Sequence, residues 1–241
     1  MIKIHYAIQT CDVSSNQNYT RFCSDDRTLI SKKCLKSIFE SIQNVSTERS
    51  NVVNFVKIFD DHSTEDLQKF IYELQKKYSS DRTIIEIEHL TDTGIMNSIG
   101  KCYSWLKENG QDLVYQIQDD YLFSKDAIFQ MVDIFMQVYN DIDTHPIITG
   151  YHDPRHWREQ YKNKVTPRMV IPGVSQYWLQ YFDMSCSFLT SHKHFISNLD
   201  LLEHFLMLDP RSLEELENVS LNKMLVDRKQ LGLMPFSSLT L

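Results

Sequence analysis

Asp112-Leu-Val-Tyr-Gln-Ile-Gln-Asp-Asp-Tyr-Leu-Phe-Ser-Lys-Asp126 is the stretch whose reading decides the fold. Leu113 to Ile117 is an apolar run bounded by turn-forming residues, which reads as a buried strand. It ends in two adjacent carboxylates, Asp119 and Asp120, before a helical pattern resumes. In open α/β sheets ligands sit beyond the carboxyl ends of the strands. Hard oxygen ligands placed there select Mg²⁺ or Mn²⁺, a cation suited to neutralising a diphosphate. The plainer reading of the same residues is an Asp-rich turn that caps the next helix.

The chain before this stretch repeats the pattern. Residues 2 to 9 alternate as a strand, with Thr10-Cys-Asp12 at its end, and Leu29, Cys34, Leu35, Ile38, Phe39 and Ile42 recur at helical spacing behind a cap at Asp25 or Asp26. Val52 to Phe59 is nearly all apolar, as a parallel strand covered on both faces should be, and runs into a second acidic pair, Asp60-Asp61. Ser63 or Thr64 can cap the helix that follows, and the acidic pair either belongs to that cap or binds a ligand. A third strand over Thr83 to Glu88, a helix over Gly94 to Lys107, and a helix after Asp120 capped near Ser124 complete a βαβαβαβα order. That alternation predicts right-handed crossovers and an α/β, Rossmann-like fold with a mostly parallel central sheet.

After Pro146 the style changes. Ile147 to Pro154 reads as a strand entering a turn, and residues 155 to 168 carry Arg155, Arg158, Lys162, Lys164 and Arg168 against the single acid Glu159. That basic run is either a solvated loop or a segment that closes on phosphates. Tyr177, Trp178, Tyr181 and Phe182 form an aromatic cluster suited to a core or to stacking on a sugar or base. Phe182 to Thr190 reads as a strand, Phe195 to Leu208 and Leu213 to Leu231 as helices, and the tail from Leu233 as a final strand at the edge of the sheet or site. No linker divides these pieces, so a single domain over residues 1–241 is expected.

Composition narrows the function. A net charge of −7 argues against a general nucleic-acid binder, which needs a basic face to release phosphate counterions. The five cysteines are odd in number and contain no Cys-x-x-Cys pair, which fits free thiols in a reducing, cytoplasmic setting. No run reaches membrane-spanning length and the amino terminus lacks a signal layout. Phosphate-loop and dinucleotide glycine motifs are missing, as is His-Glu-x-x-His. His152 and His156 have a spacing that could bind zinc, but Pro154 between them and the lack of a third ligand favour a structural role.

Val56-Lys-Ile-Phe-Asp-Asp-His-Ser-Thr64 and Tyr115-Gln-Ile-Gln-Asp-Asp-Tyr-Leu-Phe123 together resemble motifs of the GT-A type glycosyltransferases, near the inverting group that uses nucleotide-diphospho-sugars. The first resembles that group's strand-Asp-Asp-x-Ser signature and the second its Asp-x-Asp or Glu-Asp-Asp element. Glu217-Asn-Val-Ser-Leu-Asn-Lys-Met-Leu225 is similar to its Glu-Asp-x-x-Leu helix near the acceptor. Gly150-Tyr-His-Asp-Pro154 and Pro235-Phe-Ser-Ser-Leu239 are similar to segments of a phage and bacterial branch.

The resemblance implies a GT-A domain whose residues 1–145 bind the nucleotide-sugar and whose residues 146–241 form the acceptor side. It implies that Asp60 or Asp61, with Thr10 and Asp12, contacts base and ribose, that Asp120 coordinates Mn²⁺ or Mg²⁺ on the diphosphate, and that Asp119 stands beside it. Gln118 departs from the first acid of the usual triplet; an amide still bonds a ribose hydroxyl, but metal affinity should fall. The general base of inverting members aligns with Glu217-Asn218, and Asn cannot take a proton. Glu217, Glu214 or Asp153 is then the base, or the protein is retaining or inactive. A histidine metal ligand of the family falls past the Pro-x-x-Ser-like tail, beyond Leu241. The implied partners are a nucleotide-diphospho-sugar donor and a glycan, protein or small-molecule acceptor. Two other readings remain: a nucleotidyltransferase, disfavoured because Thr10 to Asp25 contains no glycine, and a degenerate member that binds a nucleotide or glycan without turnover.

Overall fold

The computed structural model describes residues 1–13, 26–152, 169–181, 187–208 and 221–240. Its first half follows the expected alternation: β1 Ile2–Thr10, α1 Arg27–Glu48, β2 Val52–Asp60, α2 Glu65–Tyr78, β3 Thr83–His89, α3 Ile95–Asn109, β4 Leu113–Gln118 and α4 Ala127–Ile142. The second half contributes β5 Ile147–Ile148, β6 Val170–Pro172, β7 Tyr177–Tyr181, β8 Phe188–Ser191, α5 His192–Ser197, α6 Leu199–Leu206, α7 Asn222–Val226 and β9 Gly232–Pro235. All nine strands join one sheet in the order β3-β2-β1-β4-β8-β5-β9-β7-β6. From β3 to β4 every pairing is parallel; beyond β4 the sheet is mixed, and only β5 and β9 run parallel there.

Burial on both faces explains the apolar runs of the parallel half. Ile4, Tyr6 and Ile8 of β1 join the core packed by α1, α2 and α4. Ala7 points the other way, into the core shared with α3, α5, α6 and α7. A buried polar thread crosses the first three strands: Tyr6 donates to Asn54 at 3.2 Å, and Asn54 donates to Thr83 Oγ1 at 3.3 Å. These bonds satisfy groups that would otherwise be costly inside the sheet.

Several sequence expectations need correction. The helix expected to be capped near Ser124 starts after Asp126, which makes no side-chain cap bond, and the Ser124 hydroxyl donates to Asp126. Ser41 of α1 accepts from Ile128 N at 3.0 Å in the first turn of α4, and Ser37 accepts from Phe123 N at 2.9 Å. Two serines on a neighbouring helix thus satisfy orphan donors of the segment that follows the acids. Among the described residues of the stretch expected as a strand entering a turn at Pro154, the strand is Ile147–Ile148, and Phe195–Leu208 is broken into α5 and α6 at Asn198. The last helix is described as α7 and stops at Val226, short of Leu231. Its Leu213 to Ser220 portion, like the Phe182 to Cys186 start of the expected strand, lies outside the described residues. The aromatic cluster turns out to be a strand, β7, with Trp178 and Tyr181 buried and Tyr177 exposed.

The tail differs most. Of the two placements expected, the edge of the sheet is corrected: β9 sits inside it, between β5 and β7. Beyond it, Leu239 and Thr240 both donate backbone N–H groups to Gly150 O, at 2.9 and 3.0 Å, and Ser124 N donates to Leu239 O at 2.8 Å. A Cβ on Gly150 would come within 2.8 Å of Thr240 Cγ2, so the close approach of tail and loop requires glycine here.

Ser41 is fully buried, so Ser41→Ala leaves the Ile128 N–H without its partner. The variant is expected to lose about 1–3 kcal/mol of stability, read from the shift of its urea unfolding midpoint.

Candidate functional site

Register brings the acids together. β1 pairs with β2 so that Thr10 stands opposite Asp60, and with β4 so that Gln9 stands opposite Gln118. Parallel strands end on the same side of a sheet, and the residues following β1, β2 and β4 meet there. Asp61 N extends the ladder by donating to Thr10 O at 2.9 Å, and Asp119 N donates to Gln9 O at 3.2 Å. The end of β1 is therefore flanked by one acidic pair on each side.

The four acids and Asp12 are not equivalent. Asp60 is fully buried, and its oxygens accept from Ser63 N at 3.1 Å, Gln68 Nε2 at 3.1 Å and His89 Nδ1 at 2.7 Å. His62, with φ of 61°, takes the left-handed conformation in the turn that returns Ser63 to Asp60. Asp61 is also buried but binds differently: one oxygen meets His62 Nδ1 at 3.1 Å, the other accepts from Gly94 N at 3.0 Å. Gly94 has φ of 117°, a region that favours glycine, so Asp61 holds the entry to α3 through a residue type chosen by backbone geometry. Asp60 therefore braces its own turn, while Asp61 lies at the end of β1.

Asp12 closes a third loop. It accepts from Thr64 N at 2.8 Å, Thr64 Oγ1 at 2.6 Å and Thr28 Oγ1 at 2.5 Å. Burial acts to raise its carboxyl, but the hydrogen bonds from Thr28 and Thr64 outweigh it and hold the group below its ordinary range. Thr64 also caps α2 by accepting from Leu67 N, so one side chain serves the cap and the acid.

Asp119 behaves in the opposite sense. Its carboxylate accepts from Thr10 Oγ1 at 2.7 Å and from Cys11 N at 3.3 Å. Although the residue as a whole is half-buried, desolvation of the carboxyl is the largest influence on it, and with the neighbouring Asp120 charge pushes it up to about 6. Asp120 is exposed. Burial pushes the Cys11 thiol up to about 11, and the charges of Asp61 and Asp119 add to this. Two carboxylates from different strands acting on one thiol mark how near each other they lie. Gln118 is half-buried, its backbone N–H donating to Ser187 Oγ at 3.2 Å, and Gln9, next to last in β1, has a buried Oε1 with no hydrogen-bond partner.

The carboxy-terminal tail reaches the same end of β4. Thr240 bridges to Phe123, His152 N donates to Ser238 Oγ at 3.0 Å, His152 Nδ1 lies 2.7 Å from Phe236 O, and Tyr121 and Tyr151 bring their rings within 6.1 Å. His152 thereby serves the tail, in keeping with the structural role expected of it. Asp153, Glu214, Glu217 and Asn218, with the basic run 155–168, lie outside the described residues.

A divalent cation fits this acid set in one particular way. Among the described residues no three His, Cys, Asp or Glu side chains are grouped to hold a metal. Mg²⁺ commonly accepts one or two carboxylates and completes its shell with water and substrate phosphates. Asp119 and Asp120 suit that partial coordination, and a cation there would relieve the repulsion and desolvation that raise the Asp119 carboxyl.

At the level of sequence, no family model matches the chain and no curated protein does. Solved structures do match. S. aureus TarS aligns at 12% identity over 82% of this chain and 30% of its own, with a TM-score of 0.48. The mannosyltransferase PcManGT from Pyrobaculum calidifontis, in complex with GDP-Man and Mn²⁺, aligns at 14% identity over 66% of this chain and 37% of its own, with a TM-score of 0.41. The chain thus spans about a third of the length of each. A UDP-glucose pyrophosphorylase complexed with UDP-glucose aligns at 10% identity over 99% of this chain and 91% of its own, with a TM-score of 0.52. That last likeness shows a shared α/β fold. No helix among the described residues is long and apolar enough to cross a membrane.

The raised Asp119 carboxyl has a consequence for stability. In the unfolded chain it titrates near 3.8 and in the fold near 6, so between these values the folded protein binds the extra proton. Stability of the metal-free protein is expected to fall as pH rises through that window. Melting temperatures in chelator from pH 4 to 7 should show the decline, and Asp119→Asn should flatten it.

Proposed function

We propose that the chain is a metal-dependent glycosyltransferase that moves a sugar from a nucleotide-diphospho-sugar to an acceptor hydroxyl. One observation carries this reading: the acids after β2 and β4 meet at the end of β1, with half-buried Asp119 followed by exposed Asp120. Residues 1–145 form the donor half and residues 146–241 the acceptor half.

Asp61 and Thr10 face the base and ribose, while Asp60 and Asp12 act from behind by fixing the turns that carry them. Asp120, aided by Asp119, holds Mn²⁺ or Mg²⁺, and Gln118 offers its amide to a ribose hydroxyl. Such a cation supplies charge neutralisation to the departing diphosphate. The chain's own task is to orient donor and acceptor, exclude water and accept the acceptor's proton. Glu217 is the proposed base, with Glu214 or Asp153 as the other acids able to serve and Asn218 as a neutral neighbour. The basic run 155–168 is the proposed cover over the phosphates. The docking of Leu239 and Thr240 against Gly150 and Ser124 supports a role for the tail at this end of β4.

A nucleotidyltransferase is the second reading, favoured by the shared fold of UDP-glucose pyrophosphorylase over nearly the whole chain. The absence of glycine from Thr10 to Asp25 weighs against it. Gln118 and Asn218 favour a third outcome, a protein that binds its ligand without turnover.

Thermal-shift measurements with UDP and GDP, with and without Mn²⁺, separate these outcomes from a protein without the site. Stabilisation is expected only with metal present, and Asp120→Ala should abolish it. A shift indifferent to both would remove the site assignment. Incubation with nucleotide-sugars then distinguishes the chemistries: a transferase releases a nucleoside diphosphate, whereas a nucleotidyltransferase given pyrophosphate forms a nucleoside triphosphate.

A further inference from the structure

Asp60 is engaged in a second arrangement, where the end of β2 pairs with the end of the edge strand β3. Its Oδ2 accepts from His89 Nδ1 at 2.7 Å, and His89 Nε2 lies 2.7 Å from the Tyr72 hydroxyl. Asp60 is fully buried, while the His89 side chain is 41% exposed and Tyr72 is 50% exposed. The carboxylate also accepts from Gln68 and Ser63, so its position is fixed from three directions.

This geometry sets the tautomer of His89. An ionised carboxylate requires the proton on Nδ1, which leaves Nε2 as an acceptor, and the Tyr72 hydroxyl must donate to it. A hydroxyl donating to an imidazole, itself oriented by a buried carboxylate, is the arrangement that activates a nucleophile. Lys69 and Lys76 stand three residues before and four after Tyr72 on the exposed face of α2, with Glu73 between them, and offer cations to an approaching phosphate-bearing group. Lys69 shares its charge with Glu65 at 3.7 Å.

We propose that Tyr72 is a nucleophilic tyrosine, a covalent modification site that accepts a group from a phosphorus-centred electrophile. In that step Tyr72 Oη forms a bond to phosphorus, the bond from phosphorus to its leaving group breaks, and the hydroxyl proton passes to His89 Nε2. Asp60 acts through His89 and is a positioning residue. The inference does not depend on the donor site at the end of β1.

An alkyl fluorophosphonate tests it directly, since fluoride is the leaving group and the adduct is read by peptide mass spectrometry. In the full chain Tyr72 is expected to label about tenfold faster than Tyr177, which at 59% is the more exposed of the two. His89→Gln, whose amide can still accept the hydroxyl's hydrogen bond but cannot take its proton, should lower the Tyr72 rate about tenfold or more and leave the Tyr177 rate unchanged. Labelling of Tyr177 as fast as Tyr72, or an unaltered Tyr72 rate in a folded His89→Gln protein, would overturn the proposal. If that variant melts early, the comparison of the two tyrosines in the unsubstituted protein decides alone.

Discussion

The hydrogen bond from Thr10 Oγ1 to Asp119, beside the backbone bond from Asp61 N to Thr10 O, is the constraint on which the rest of the site depends. Carboxylates repel, and a desolvated carboxylate prefers its proton. Two acidic pairs share one end of a sheet because donors from β1, α1, α2, β3 and the turns between them bind the carboxylates and hold them apart. Thr10 and Cys11 supply these for Asp119, Thr28 and Thr64 for Asp12, and Ser63, Gln68 and His89 for Asp60. A cation beside Asp119 and the exposed Asp120 would relieve the desolvation and like charge that raise the Asp119 carboxyl.

The parallel half of the fold was legible because its determinants are local. Apolar runs covered on both faces, caps at Asp26 and Thr64, and turn-forming acids after each strand are written in adjacent residues. That Thr10 and Asp60, fifty residues apart, stand opposite each other is given by the parallel register of β1 and β2; in the sequence only the family resemblance put Thr10 beside Asp60 or Asp61.

What escaped the sequence is long-range. Nothing beside Ile128 announces that its partner is Ser41, on a helix that precedes it by three strands. Likewise the role of Asp60 depends on Gln68 and His89, residues that no spacing rule connects to it. The second half mixes short strands whose partners are distant in the chain, so β9 looked like an edge and proved internal. His89 itself went unremarked because a single histidine at a strand end carries no pattern. The signal lay in Tyr72, which comes two turns into α2 and stays exposed on a helix otherwise sorted by polarity.

The account's central claim is that a cation and a nucleoside diphosphate sit together at the end of β1. Paramagnetic broadening of amide resonances by Mn²⁺ tests it most directly. With UDP or GDP present, the signals of Cys11, Asp61 and Asp119 to Tyr121 should broaden first, and chelator should restore them. Broadening that is centred on the opposite end of β4, around His145 and His194, or that is unchanged by nucleotide, would contradict the account.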